Sequence, residues 1–392
     1  MRVLTVGLAL AVLVARPAIA GRMLYATAAT PSRIDGFCLR DDGSVAPTPS
    51  VRLELLSSQP RRMVVMDSAL YVVEDNRVEV FKIGPKGGLS FLGRTPQRKR
   101  SGPRDIAFSP SKNMLYVPDR SRNRIIGHPL DAEGSPAADF TTCIQGAVAQ
   151  GYQSLVVNAD KLYVSSNGGN GRIEVFGINP DGSLFGPNGS TLVTDCRGAT
   201  TEGPRPDPTP PLSERRQIHD VKSFVISEGF LYAEDRGRRR IKAFRLQPDG
   251  NFPPPTIENP NKPKKKTWAK AESKTERVAQ YQMIALHQKA LIGTQFFHGR
   301  IDSYLVEAPG QIRPTRTKKR TNADLRFTPV RLQADQDVVY VAAGEFDRII
   351  AYHLDPDSGV LRDTDPFSET DEQKGSFPNE VAIAVLTAGC GS

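Results

Sequence analysis

Beyond its first twenty residues, the 392-residue chain has no apolar run of the roughly 18 to 20 residues that a membrane-spanning helix needs. Tryptophan occurs once, at Trp268, and histidine only five times. The four cysteines, Cys38, Cys143, Cys196 and Cys390, stand far apart and lack the close spacing of a zinc site. There is no P-loop, no nucleophile elbow and no haem-attachment motif. No cofactor or metal is therefore expected. A cation among Asp105, Asp220 and Glu380 is a lesser alternative, since no spaced ligand motif supports it.

What the chain does have begins at its N-terminus. MRVLTVGLALAVLVARPAIA carries a positive charge, an apolar run of about a dozen residues and the small-x-small sequence Ala18-Ile19-Ala20. Residues 1–20 read as a signal peptide, and the remainder as an exported, periplasmic or extracellular protein without a membrane span. No cysteine follows the cleavage site, so a lipid anchor is not indicated. In an exported chain, four cysteines suggest disulfides.

Residues 21–392 repeat one unit seven times. The copies include MLYATAATPSRIDGFCLRDDG from Met23, ALYVVEDNRVEVFKIGPKGG from Ala69, MLYVPDRSRNRIIGHPLDAEG from Met114 and VVYVAAGEFDRIIAYHLDPDSG from Val338. Each is an apolar strand, a polar turn, an alternating strand and a Pro/Asp/Gly turn. Repeats of this length built from β segments predict an all-β chain, here a seven-bladed β-propeller forming one domain. Copy one lacks an inner strand in front of it, whereas PNEVAIAVL from Pro378 has no blade after it. The C-terminal strand should therefore close the first blade and leave no exposed inner edge. That closure brings Cys390 near Cys38 and predicts a disulfide across the seam. Cys143 and Cys196 fall near the outer strands of consecutive blades, and their pairing stays open.

Turns after the first and third strands share one face, the bottom, and are short and Asp-rich for backbone reasons. The opposite, top face holds the longer connections, including insertions at 197–217 and 252–277. Four segments assigned to it, Arg94 to Arg104, Arg236 to Lys242, Lys262 to Arg277 and Arg313 to Arg320, contain 22 of the 52 lysines and arginines. One-sided charge of this kind attracts anions, although charge runs are as often simply solvated loops. The expected partner is an anionic small molecule or envelope polymer. Export disfavours nucleic acid, and the protein is expected to be a monomer. Candidate ligand-binding residues are Arg62, Gln153, Arg236, Arg239, Lys265 and Trp268.

Residues that begin the inner strands converge on the channel. GPRDIAFSPSKNMLYVPDRSRNRIIGHPLD from Gly102 resembles the repeat of the seven-bladed lactonase-type propellers, which include 6-phosphogluconolactonase and fungal carboxymuconate cyclase. It is also similar to YVTN-repeat propellers. The family's repeat reads GPRH where this chain has Asp105. The resemblance implies catalytic roles near the channel for Arg104, His219 and Glu380, and Asp105, standing where the family has His, is a further candidate. His219 beside Asp220, or Glu380, would be the base, with Arg104 and Arg62 holding the anion. Two readings follow: a binding or scaffold propeller with a basic top face, and a lactone hydrolase or muconate-cyclase-like enzyme.

Overall fold

The computed structural model describes residues 21–29, 32–55, 60–97, 102–122, 124–137, 142–145, 151–166, 173–186, 191–192, 221–235, 240–252, 281–295, 300–320, 329–343, 348–355, 357–362, 368–370, 380–388 and 390. The predicted signal peptide, the insertions at 197–217 and 252–277, His219, Arg236, Arg239, Lys265 and Trp268 lie outside, apart from Phe252 at the edge of the second insertion. So does Cys196, and the side chain of Cys143 is not among those described.

Seven antiparallel sheets form the seven blades of the expected propeller. Blade 1 runs Val381–Val385, Arg22–Ala29, Ser32–Leu39 and Val51–Glu54, from inner to outer strand. The inner strands of blades 2 to 7 are Arg62–Met66, Ala107–Ser109, Tyr152–Asn158, Phe224–Ser227, Tyr281–His287 and Pro329–Asp335. Second strands such as Ala69–Val73 and Val338–Ala343 are buried at every residue. They lie between neighbours on both faces, which is why the Leu-Tyr-Val segments read as continuous apolar runs instead of alternating. Seven apolar cores result, one at each junction between neighbouring blades.

The repeated tyrosine does more than fill those cores. In blade after blade, its hydroxyl reaches the glycine in the turn between the third and fourth strands of the next blade. Tyr25 donates to the Gly87 carbonyl at 2.7 Å, Tyr71 to Gly134 at 2.7 Å, Tyr116 to Gly182 at 2.8 Å and Tyr163 to Gly250 at 2.5 Å. Tyr340 donates to Gly43 at 2.8 Å and so joins blade 7 to blade 1. At the junction of blades 5 and 6 the polarity reverses, the Gly310 N–H donating to the Tyr232 hydroxyl at 3.0 Å. Blade 6 carries Ile292 in place of tyrosine. Gly182 must be glycine twice over: its φ is +81°, and an added Cβ would fall 2.4 Å from Met114. Burial pushes the Tyr163 hydroxyl up to about 12, so it remains a proton donor at neutral pH. Tyr116→Phe should cost about 1 to 2 kcal/mol by stranding the Gly182 carbonyl. Urea denaturation showing no loss would refute the latch.

The seam is as expected. Val381–Val385 pairs antiparallel with Arg22–Ala26, and Cys38 and Cys390 form a disulfide with Cα atoms 5.6 Å apart. An ion pair, Arg22 to Asp335 at 2.9 Å, adds to the same joint.

Three expectations change. Arg313 to Arg320 is not a top loop: it belongs to the outer strand Gln311–Arg320 of blade 6, where Arg313 lies near the bottom and pairs with Glu307. The inner strand of blade 3 starts at Ala107, past the channel candidates Arg104 and Asp105, and that of blade 5 starts at Phe224. Blade 3 gains a fifth strand, Thr191–Leu192, which returns from beyond blade 4 to cover Thr142–Gln145. Within blade 2, Glu74 and Glu79 of the VEDNRVE segment both pair with Arg77.

Candidate functional site

One register position recurs in all seven blades: the residue, in the inner strand or just before it, that continues the register opposite the one two places past the repeated tyrosine, or past Ile292 in blade 6. It is Glu380 in blade 1, Arg62 in blade 2, Asp105 in blade 3 and Ser154 in blade 4, then Ser223, Met283 and Arg331 in blades 5 to 7. Because inner strands surround the channel, these residues meet across blade junctions at its top.

An alternating chain of charges results. Arg331 pairs with Glu380 at 3.2 Å, Glu380 with Arg62 at 3.3 Å and Arg62 with Asp105 at 3.1 Å. Asp105 also accepts from the Ser154 hydroxyl at 2.7 Å and from the Leu155 N–H at 3.1 Å. Blades 7, 1, 2, 3 and 4 are thus tied in sequence, while the Ser223 hydroxyl bonds to Ile284 across the junction of blades 5 and 6. Glu380 is only 1% exposed. Burial pushes its carboxyl above the ordinary range, while Arg62 and Arg331 pull the other way. Burial also draws the Arg62 guanidinium down, but the flanking Glu380 and Asp105 charges outweigh it and hold the group above its usual value.

Within that chain, two guanidiniums balance two carboxylates. Around it stand Arg61, Arg104 and Arg120. Arg61 is held by Asp75 at 2.5 Å, whereas Arg104 and Arg120 have no anionic partner among the described residues. Half-burial lowers the Arg104 guanidinium below its ordinary value, and the charges of Arg120, Arg61 and Arg331 lower it further, opposed by Asp75. Arg120 lies against Gly151, where an added Cβ would fall 2.2 Å from its Cγ. Two residues on, the Gln153 amide nitrogen is buried without a hydrogen-bond partner among the described residues. Among the described residues the mouth therefore has surplus positive charge and an unused donor, a combination that suits an anion.

Five sequence-selected residues come together here: Arg62, Arg104, Asp105, Gln153 and Glu380. Arg331 and Ser154 were missed. The inner strands of blades 4, 6 and 7 carry a register shift at their first residues, so Arg331 is the third residue of its strand and not the first. Aligning the blades on their tyrosines would have found it. No group of His, Cys, Asp and Glu among the described residues could hold a metal ion.

No protein-family model and no curated protein matches the chain. Solved structures do share its ring. The periplasmic gluconolactonase of Pseudomonas aeruginosa superposes with a TM-score of 0.66 at 16% identity, over 94% of this chain and 100% of that one. A putative 6-phosphogluconolactonase from Bacteroides uniformis gives 0.65 at 16% identity, over 93% and 99%. A protein from Lactobacillus plantarum gives 0.68 at 14% identity, over 93% and 100%. At these identities the likeness establishes a common fold, the seven-bladed β-propeller, and nothing beyond it.

Proposed function

We propose that this chain is an exported propeller whose basic channel mouth binds an anionic ligand, either a carboxylated or phosphorylated small molecule or a segment of an anionic envelope polymer. The observation that carries this reading is the placement of Arg104 and Arg120, two cations without an anionic partner among the described residues, beside the charge-balanced chain. The disulfide and the N-terminal segment support export, as does the periplasmic gluconolactonase with the same fold.

The lactonase reading draws on the names of two structural neighbours and on the upward-shifted Glu380 carboxyl. A hydrolytic base must reach a water molecule. Glu380 and Asp105 are both buried and engaged with arginines, which favours binding over hydrolysis. His219 is the remaining base candidate in that reading.

Arg104→Ala should weaken binding of glucose 6-phosphate or a polyanion about tenfold and flatten its salt dependence. Calorimetric titration at low and high salt measures both. Affinity unchanged by the substitution would remove the mouth as the site. Lactone turnover that Arg104→Ala and His219→Ala abolish would replace the binding reading with the enzyme.

A further inference from the structure

We infer that the bottom face carries a separate site for a neutral saccharide, in the groove where blades 4, 5 and 6 meet. In blades 1 to 5, the third and outer strands are joined by five-residue turns, such as Asn179 to Ser183 and Gln247 to Asn251. Blade 7 uses four residues between Asp355 and Val360. Blade 6 uses only Pro309 and Gly310, between Ala308 and Gln311. The short turn fills less of the bottom face and leaves a groove of about 890 Å³ beside blade 5, within the size range of small-ligand sites.

The lining of the groove defines the chemistry. Its apolar part is formed by Phe230, Leu246, Pro248 and Pro309. Around this stand planar polar groups that can take two neighbouring hydroxyls at once, among them Arg245 and Glu228. Neither has an ion-pair partner among the described residues. The other charges are already engaged. Asp160 pairs with Lys112 at 3.6 Å, and Asp249 accepts from the Asn251 backbone and side chain at 2.9 and 2.7 Å, bonds that hold its carboxyl low with a smaller contribution from Lys161. The free groups thus sum to zero charge, in contrast to the cationic channel mouth. A sugar ring offers the complement: an apolar C–H face for Phe230 and the prolines, and vicinal hydroxyls for a guanidinium and a carboxylate.

Ligand-observed NMR on the intact protein tests this with methyl β-glucoside, cellobiose, maltose and N-acetylglucosamine as probes. At least one should bind, equally well at low and high salt, because no net charge is neutralised. Arg245→Ala should weaken that binding about tenfold, and Phe230→Ala should do the same. An unchanged thermal midpoint in Arg245→Ala, whose side chain is exposed, separates lost binding from lost folding. The inference is overturned if none of the four sugars saturates the protein. Binding that survives Arg245→Ala in the folded protein, or that falls with salt, overturns it equally.

Discussion

Replacing Cys38 and Cys390 with alanine should lower the unfolding free energy by about 5 kcal/mol, the upper part of the range for single disulfides. The magnitude follows from the 352-residue separation of the two cysteines. A cross-link between nearly opposite ends of the folded chain removes more freedom from the unfolded state than one closing a short loop. For a chain of this size the corresponding fall in melting temperature is about 6 °C. The bridge joins the final segment to the third strand of blade 1, so its loss also frees the Val381–Val385 strand to leave the ring. Differential scanning calorimetry of the double variant, and of the wild type with reductant, should give matching losses. A change under about 1 kcal/mol would mean that strand pairing, the Tyr340 latch and the Arg22–Asp335 pair already hold the seam.

Glu380→Ala should cost about 3 to 5 kcal/mol, because it leaves two guanidiniums facing each other with one shared carboxylate removed. Arg331 would lose its carboxylate partner, and Arg62 would keep only Asp105. Glu380→Gln, which retains the shape and one acceptor oxygen, should cost less. Combining Glu380→Ala with Arg331→Met should recover part of the loss, since the buried cation that lacked compensation is then gone. Chemical denaturation of these variants and of Arg331→Met alone gives the comparison. Full additivity of the two substitutions would show that Glu380 and Arg331 do not interact.

The ring itself was legible because its signal is local. Each Leu-Tyr-Val segment announces a strand buried on both faces, and PNEVAIAVL announces an inner strand without a blade. The Cys38–Cys390 bridge followed from that closure. What the residues concealed depends on the relation between blades. Nothing near Tyr116 in sequence points to Gly182, and nothing near Thr191 points to the edge of blade 3. Arg313 to Arg320 reads as a charged loop because the same residues also suit an exposed edge strand, where lysine and arginine discourage further pairing.

The candidate site was legible to a similar depth. Arg62, Asp105 and Glu380 were placed at the channel by their position at inner-strand starts. Their chemistry was not: Glu380 and Asp105 read equally as catalytic carboxylates until each was found engaged with arginine. Arg331 escaped because a bulge displaces it from the first residue of its strand.

The claim on which the functional reading rests is that the channel mouth holds an anion. Crystals soaked in bromide or selenate and measured at the anomalous edge test it directly. A peak within hydrogen-bonding distance of Arg104 and Arg120, lost in crystals of Arg104→Ala, is the predicted result. Anomalous peaks confined to surface lysines, with none between Arg104, Arg120 and Arg331, would contradict it.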